Sequence, residues 1–186
     1  MCGYGGNYKY EQALDTVTSY LMKQDADIIC LQEDKSEKHK HVERWAELYP
    51  YNDTISVNDP TAKERNILGI HSRLPIVKRE QMAYSAMANG SVAFYLKRGD
   101  DTIIVINNHL ESTHLTTDDR DRYRDVLKGN TDRETAEEEA RTLLGKLSEG
   151  MATRAQHVKV IHEYIEAHKR YPMIVCGDFN DTPISY

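Results

Sequence analysis

Near the end of the chain, residues 173–183 read Met173-Ile174-Val175-Cys176-Gly177-Asp178-Phe179-Asn180-Asp181-Thr182-Pro183. The apolar half does not alternate, which suits a buried strand covered on both faces. Open α/β folds build their sites just beyond the ends of such strands. Asp178 and Asn180 lie two apart, and in extended chain they point the same way, so both can address one phosphorus centre. Gly177 removes a side chain just before them and allows close approach. Phe179, on the opposite side, is placed to anchor the pair in the core, and Asp181-Thr182-Pro183 then turns the chain. The same residues also describe an ordinary strand ending, rich in Asp and Asn for turn reasons.

Two other apolar strands end in a comparable way. Ala26-Asp27-Ile28-Ile29-Cys30-Leu31-Gln32-Glu33 brings a carboxylate to a strand end. Hard cations such as Mg²⁺ take one or two such oxygens and otherwise keep water. Many strands also end in a charged residue simply because they reach solvent. Ile103-Ile104-Val105-Ile106-Asn107-Asn108-His109-Leu110 runs into Asn-His. A histidine there can donate to a phosphate oxygen or take part in proton transfer, or it can make one structural hydrogen bond. Three polar endings on three buried strands point together to a phosphate site.

The remaining pattern supplies the scaffold. Ala13, Val17 and Leu21, with Leu14 beside them, predict an amphipathic helix over 9–25. A second short helix is predicted over 37–49 and is stopped by Pro50. Strands are predicted at 51–57, 65–72, 76–83, 90–97 and 102–108, and Arg98-Gly99-Asp100-Asp101 signals a hairpin between the last two. No helix interrupts this run, so antiparallel pairing is expected there. Residues 112–150 are the most charged and read as a helical insertion or lid. Two helices are predicted over 133–148 and 151–168, divided near Gly150, the second burying Ala155, Val158, Ile161 and Ile165. The whole reads as a single domain over 1–186.

The chain has 186 residues and a net charge of −6. A basic footprint is absent, so bulk electrostatics do not favour nucleic acid as a partner. A nuclease stays compatible, because an active-site metal supplies local positive charge. Cys2, Cys30 and Cys176 form no CxxC, which is neither a zinc site nor a disulfide framework. Cys30 and Cys176 lie in apolar runs and read as small buried hydrophobes. The longest apolar run, Val92–Leu96, is five residues, against roughly 20 for a membrane span. The first residues show no secretory signal. The expected compartment is cytoplasmic by default, and extracytoplasmic if sequence precedes Met1. Gly3–Gly6 follows no strand and lacks GxGxxG spacing, which argues against a Rossmann-type nucleotide binder.

The sequence resembles the endonuclease/exonuclease/phosphatase family, the DNase I-like superfamily, over essentially its whole length. The resemblance rests on Ile28–Glu33, on Gly69-Ile70-His71-Ser72-Arg73-Leu74-Pro75-Ile76, on Asn108-His109-Leu110, and above all on Gly177-Asp178-Phe179-Asn180-Asp181-Thr182-Pro183. It implies a DNase I-like four-layer α/β sandwich of two mixed sheets flanked by helices. It implies divalent-metal-dependent hydrolysis of phosphate mono- or diesters, with Mg²⁺ or Mn²⁺ as cofactor. Glu33 then resembles the family's metal ligand, His109 the phosphate-contacting residue, and Asp178 with Asn180 the pair that orients nucleophile and phosphate. Ser72-Arg73 resembles the strand-end turn near the site. Asn108, and Arg120 and Arg122 from the charged segment, are expected to meet substrate.

Family members begin with a strand ending in Asn and finish with a strand bearing Asp-His. Met1 falls about where the first should end, and Tyr186 comes six residues after Asn180. The resemblance therefore implies a member truncated at both ends, hydrolysing poorly alone and self-associating through exposed strand edges. The alternative reading is a catalytically incomplete binding or scaffold domain of the same fold.

Overall fold

A computed structural model describes residues 10–35, 42–57, 66–83, 89–113 and 115–181, with backbone alone for 10–12 and 120. The start of the expected helix 37–49 and the turn through Thr182-Pro183 lie outside the described residues. In order, the elements are α1 (Tyr10–Lys23), β1 (Ile28–Gln32), α2 (Val42–Leu48), β2 (Tyr51–Ser56), β3 (Ile67–Ser72), β4 (Ile76–Gln81), β5 (Gly90–Arg98), β6 (Asp101–His109), α3 (Thr117–Leu127), α4 (Arg133–His168) and β7 (Met173–Asp178). The segments expected from periodicity and turn signals as strands match these closely.

The strands form two sheets, ordered β1-β3-β2 and β4-β5-β6-β7. All pairs are antiparallel except β6–β7, which is parallel and reached by the crossover through α3 and α4. Three apolar clusters separate the layers. Leu14, Ile29, Leu31, Trp45 and Tyr49 join α1 and α2 to the smaller sheet. Leu68, Ile70, Val92, Phe94, Leu96 and Val105 fill the space between the sheets. Ala93, Ile104, Ile106, Leu110 and Ile161 seal α4 to the larger sheet. The result is a four-layer α/β sandwich, as expected from the sequence.

Three expectations are corrected. First, α4 is one helix of 36 residues that runs through Gly150. A glycine weakens a helix interior by about 1 kcal/mol, but here it serves close packing. A Cβ at Gly150 would stand 3.1 Å from the Ser112 carbonyl oxygen and 3.3 Å from Arg154 Nη1. Second, the buried stripe of α4 is Gly150, Arg154, His157 and Ile161, while Ala155 and Val158 face outward. Two polar residues turn inward, so a purely apolar periodicity reads the stripe one residue off. Third, among the described residues β7 lies at a sheet edge with neither face fully covered. Ile174 is 49% exposed, Val175 41% and Phe179 41%. Phe179 therefore does not anchor the Asp178–Asn180 pair in the core.

Candidate active site

Because β6 and β7 run parallel, they finish at the same edge, and their register sets His109 opposite Asp178. Strand β1 packs against β6 and β7 from the facing sheet, and Glu33 follows it directly. Glu33, His109 and Asp178, with Leu21, Cys30, Leu31 and Gln32, line a pocket of about 150 Å³. Glu33 sits at φ 54° and Asn180 at φ 50°. This left-handed backbone costs Glu33 roughly 1–2 kcal/mol, whereas asparagine adopts it readily. It persists where the surroundings over-determine the conformation, as functional sites do.

The surroundings of Glu33 are a buried polar chain. Asp34, 1% exposed, lies 2.9 Å from His71 Nε2, and His71 Nδ1 accepts from Trp45 Nε1 at 2.9 Å. An indole only donates, so the imidazole hydrogen lies on Nε2 and is donated to Asp34. The residue after Glu33 is thereby fixed to β3 and α2.

His109 is buried, and its Nδ1 lies 2.9 Å from Asn66 Nδ2, closer than the 3.2 Å to Asn66 Oδ1. Where the amide nitrogen is the partner, it donates to Nδ1 and a neutral ring carries its hydrogen on Nε2. Asn107, also buried, crosses between sheets. Its Nδ2 donates to the Leu31 and Gly69 carbonyls at 3.0 Å each, and its Oδ1 accepts from Gln32 Nε2 at 2.6 Å. It ties β6 to the strand that carries Glu33.

The chain end of β7 is held just as tightly. The Leu110 amide donates to the Asp178 carbonyl at 2.9 Å. The Asn180 amide donates to Asp178 Oδ1 at 2.9 Å, and Asn180 Nδ2 to the Leu110 carbonyl at 2.7 Å. Gly177 has φ 140°, and a Cβ there would fall 2.0 Å from the Asn108 carbonyl oxygen. Behind the turn, Arg154 is 5% exposed. Its Nε reaches Asp181 Oδ2 at 3.3 Å, and its Nη1 donates to the Glu111 carbonyl at 3.2 Å.

A sequence model of the endonuclease/exonuclease/phosphatase family matches residues 4–186. The chain belongs to this family. Solved structures share the fold. Sphingomyelinase C from Streptomyces griseocarneus superposes with a TM-score of 0.64 at 21% identity, over 98% of this chain and 61% of that one. The human nocturnin catalytic domain with bound sulfate gives 0.56 at 16%, over 94% and 58%. D. rerio TDP2 complexed with a single-strand DNA product gives 0.54 at 12%, over 91% and 54%. At these identities the likeness is one of fold. The chain spans about three fifths of the length of the first two structures. No curated protein sequence matches it.

In this member of the family, the residues expected from sequence separate into groups. Glu33, His109 and Asp178 share the pocket. Asn180 does not point alongside Asp178 from an extended strand, because the strand ends at Asp178 and the chain turns left-handed at Asn180. Its amide fastens the turn to Leu110. Asn108 is fully buried and is not placed to meet substrate. Its Nδ2 donates to the Cys176 carbonyl at 2.8 Å, and its Oδ1 accepts from Ser91 Oγ at 2.6 Å. Arg122 lines a different groove, between α3 and α4, with Asp119, Glu138 and Glu139. Arg120 lies on α3, and its side chain is outside the described residues. The charged segment packs on α4 through Lys146, whose ammonium meets the Asp119 carboxylate at 2.7 and 2.8 Å. That ammonium, with Thr116, holds the Asp119 carboxyl far below the usual carboxylate range.

Sequence reasoning missed Asn66, Asn107 and Arg154. Asn107 was open to detection as a second polar residue within an apolar strand ending. Nothing local singles out Asn66 or Arg154.

Proposed function

We propose that the chain carries the core of a divalent-metal-dependent phosphoesterase site acting on phosphate mono- or diesters. The observation that carries the reading is that Glu33, His109 and Asp178, from the ends of three different strands, line one pocket. Its volume of about 150 Å³ lies below the roughly 300–1,000 Å³ of drug-sized ligand sites. A phosphoryl group enters it, and the rest of the substrate lies along the rim.

The donor set fits Mg²⁺ or Mn²⁺. Two carboxylates share the pocket, and hard cations take one or two and keep water elsewhere. Among the described residues, no group of three or more His, Cys, Asp or Glu is arranged as metal ligands, so an ion here would rest on one or two carboxylates and water. Glu33 would be the ligand, and the ion would supply Lewis-acid polarisation of a phosphoryl oxygen. Asp178 orients the attacking water and takes its proton. His109 donates from Nε2 to a non-bridging oxygen as charge builds there. Asn180 is a positioning residue that holds Asp178 through its backbone amide. Water adds to phosphorus, the ester P–O bond breaks, and the leaving alcohol takes up a proton.

The substrate class follows from the rim. No Lys or Arg of the described residues lines the pocket, and the net charge is −6. Both favour a small phosphoester or lipid head group over a nucleic acid. No described helix is long and apolar enough to cross a membrane. A second reading, a binding domain or a self-associating one, is favoured by the apolar edge of β7, which pairs with no other strand among the described residues.

The test is titration of Mg²⁺ and Mn²⁺ into the chain, alongside hydrolysis of a generic phosphodiester. Glu33→Gln is expected to lose metal affinity, and His109→Ala and Asp178→Asn to lose about 10²- to 10⁴-fold in rate. Unchanged metal binding by Glu33→Gln refutes the assignment. No phosphoester hydrolysis by a chain that binds the metal favours the binding-domain reading.

A further inference from the structure

Cys30 and Cys176 belong to different sheets and meet across the gap between them. Both side chains pack against the inter-sheet core, one from β1 and the other from β7. Facing sheets stack about 10 Å apart, yet β1 and β7 approach within 8 Å between Cα atoms. The Cys176 thiol donates to the Ile106 carbonyl at 3.6 Å. Neither cysteine is fully buried. Both line an open groove of about 360 Å³ together with Ile28, Gln32, Val105 and Ile174. Two thiols that line one groove, drawn from the edges of two sheets and open to small molecules, are more than gap-fillers. Aliphatic side chains would serve the core equally well.

We propose that Cys30 and Cys176 are a thiol modification site that closes to an inter-sheet disulfide on meeting a small-molecule disulfide. Both thiols are partly exposed, so either one, once deprotonated, attacks and the other resolves. The first sulfur attacks one sulfur of the reagent RSSR, forming a mixed disulfide and releasing one RS⁻, which takes up that thiol's proton. The second thiol then loses its proton, attacks the protein sulfur of the mixed disulfide and expels the second RS⁻. Two protein thiols and one RSSR give one protein disulfide and two RSH. The bond ties β1 to β7 beside Glu33 and Asp178, and it forms whether or not the pocket hydrolyses phosphoesters.

The experiment uses the chain with Cys2→Ser, so that two cysteines remain, and glutathione disulfide as the reagent. Closure is expected to remove both titratable thiols, lower the intact mass by two hydrogens, and link the peptides containing Cys30 and Cys176. It is expected to raise Tm by about 10 °C, as for a long loop closed by a native-like bridge, and dithiothreitol should reverse every change. Adding either Cys30→Ser or Cys176→Ser should stop the reaction at one bound glutathione on the remaining thiol. The proposal is overturned if both thiols persist in the native chain, if the product carries glutathione without the cross-link, or if the cross-link forms equally fast in denaturant.

Discussion

Replacing Arg154 by Met asks whether a buried cation on α4 holds the site's strand ends together. Methionine retains much of the stem's packing, so the change removes mainly the guanidinium. Two hydrogen bonds go with it. The bond to the Glu111 carbonyl is buried, and leaving a buried polar group without its partner costs about 1–3 kcal/mol. The bond to Asp181 reaches a side chain that is 33% exposed. Water re-solvates that carboxylate, and the loss there is about 1 kcal/mol or less. The sum is about 3 kcal/mol, or roughly 6–12 °C in Tm for a chain of this size. Urea denaturation is the assay, with a lowered midpoint at unchanged slope expected. Arg154→Lys should recover about half, since an ammonium lacks the fork that addresses two acceptors on different segments. Pairing Arg154→Met with Asp181→Asn should give a combined loss smaller than the sum of the two. A change below about 0.5 kcal/mol in Arg154→Met, the level of an ordinary surface substitution, would refute the reasoning.

Other consequences are as open to test. A Cβ added at Gly145 would meet nothing within 4 Å, whereas one at Gly150 would face the Ser112 carbonyl at 3.1 Å. Gly145→Ala should therefore stabilise the protein by about 1 kcal/mol, while Gly150→Ala gains nothing or destabilises; equal gains in thermal denaturation would contradict the packing role of Gly150. Gly177→Ala should lose at least about 3 kcal/mol, because backbone strain and a backbone clash combine, and far-UV circular dichroism with urea titration reads the loss. Lys78, Tyr164 and Tyr95 lower the Glu80 carboxyl from 4.5 to about 2. A depressed carboxyl contributes stability that is fully present above 4.5 and is lost as pH falls toward 2. Urea midpoints of Glu80→Gln should therefore differ from the parent by a constant amount above pH 4.5 and converge below it; a gap that does not narrow in acid contradicts the assignment.

Where each side chain's environment is set by its own strand or helix, the sequence is legible. The strand positions follow from apolar runs and turn signals, and the three polar strand endings locate the pocket. What escapes depends on tertiary partners. An apolar periodicity misreads the stripe of α4 because Arg154 and His157 face inward, and the reason for Arg154 is a pair of acceptors at Glu111 and Asp181. Asn180 carries the right residue type for a site, but its left-handed turn toward Leu110 is set by contact with the chain just beyond β6. Asn108 has an amide suited to phosphate, yet Ser91 and Cys176 enclose it. β7 looks like a central strand from its composition, and its position at a sheet edge is a matter of topology.

The parallel pairing of β6 with β7 also dictates when the pocket comes into being. Ser91 and Asn108, bonded across the β5–β6 hairpin, are 17 residues apart, whereas Asn108 and Cys176 are 68 apart. A fourfold longer loop raises the entropy of closure by about 1.2 kcal/mol, and this closure also awaits the docking of α4. Hairpins form in microseconds, so His109 takes its place in a local meander early in folding. Asp178 arrives last, once a helix of 36 residues has been laid across the sheet. The same order runs backward in the native protein. The last strand to dock is the first to lift away, so amides of the β6–β7 ladder should exchange with solvent ahead of those in β5. On this order, half of the pocket is expected to exchange with the slow amides of β5 and half with the ladder that opens ahead of it.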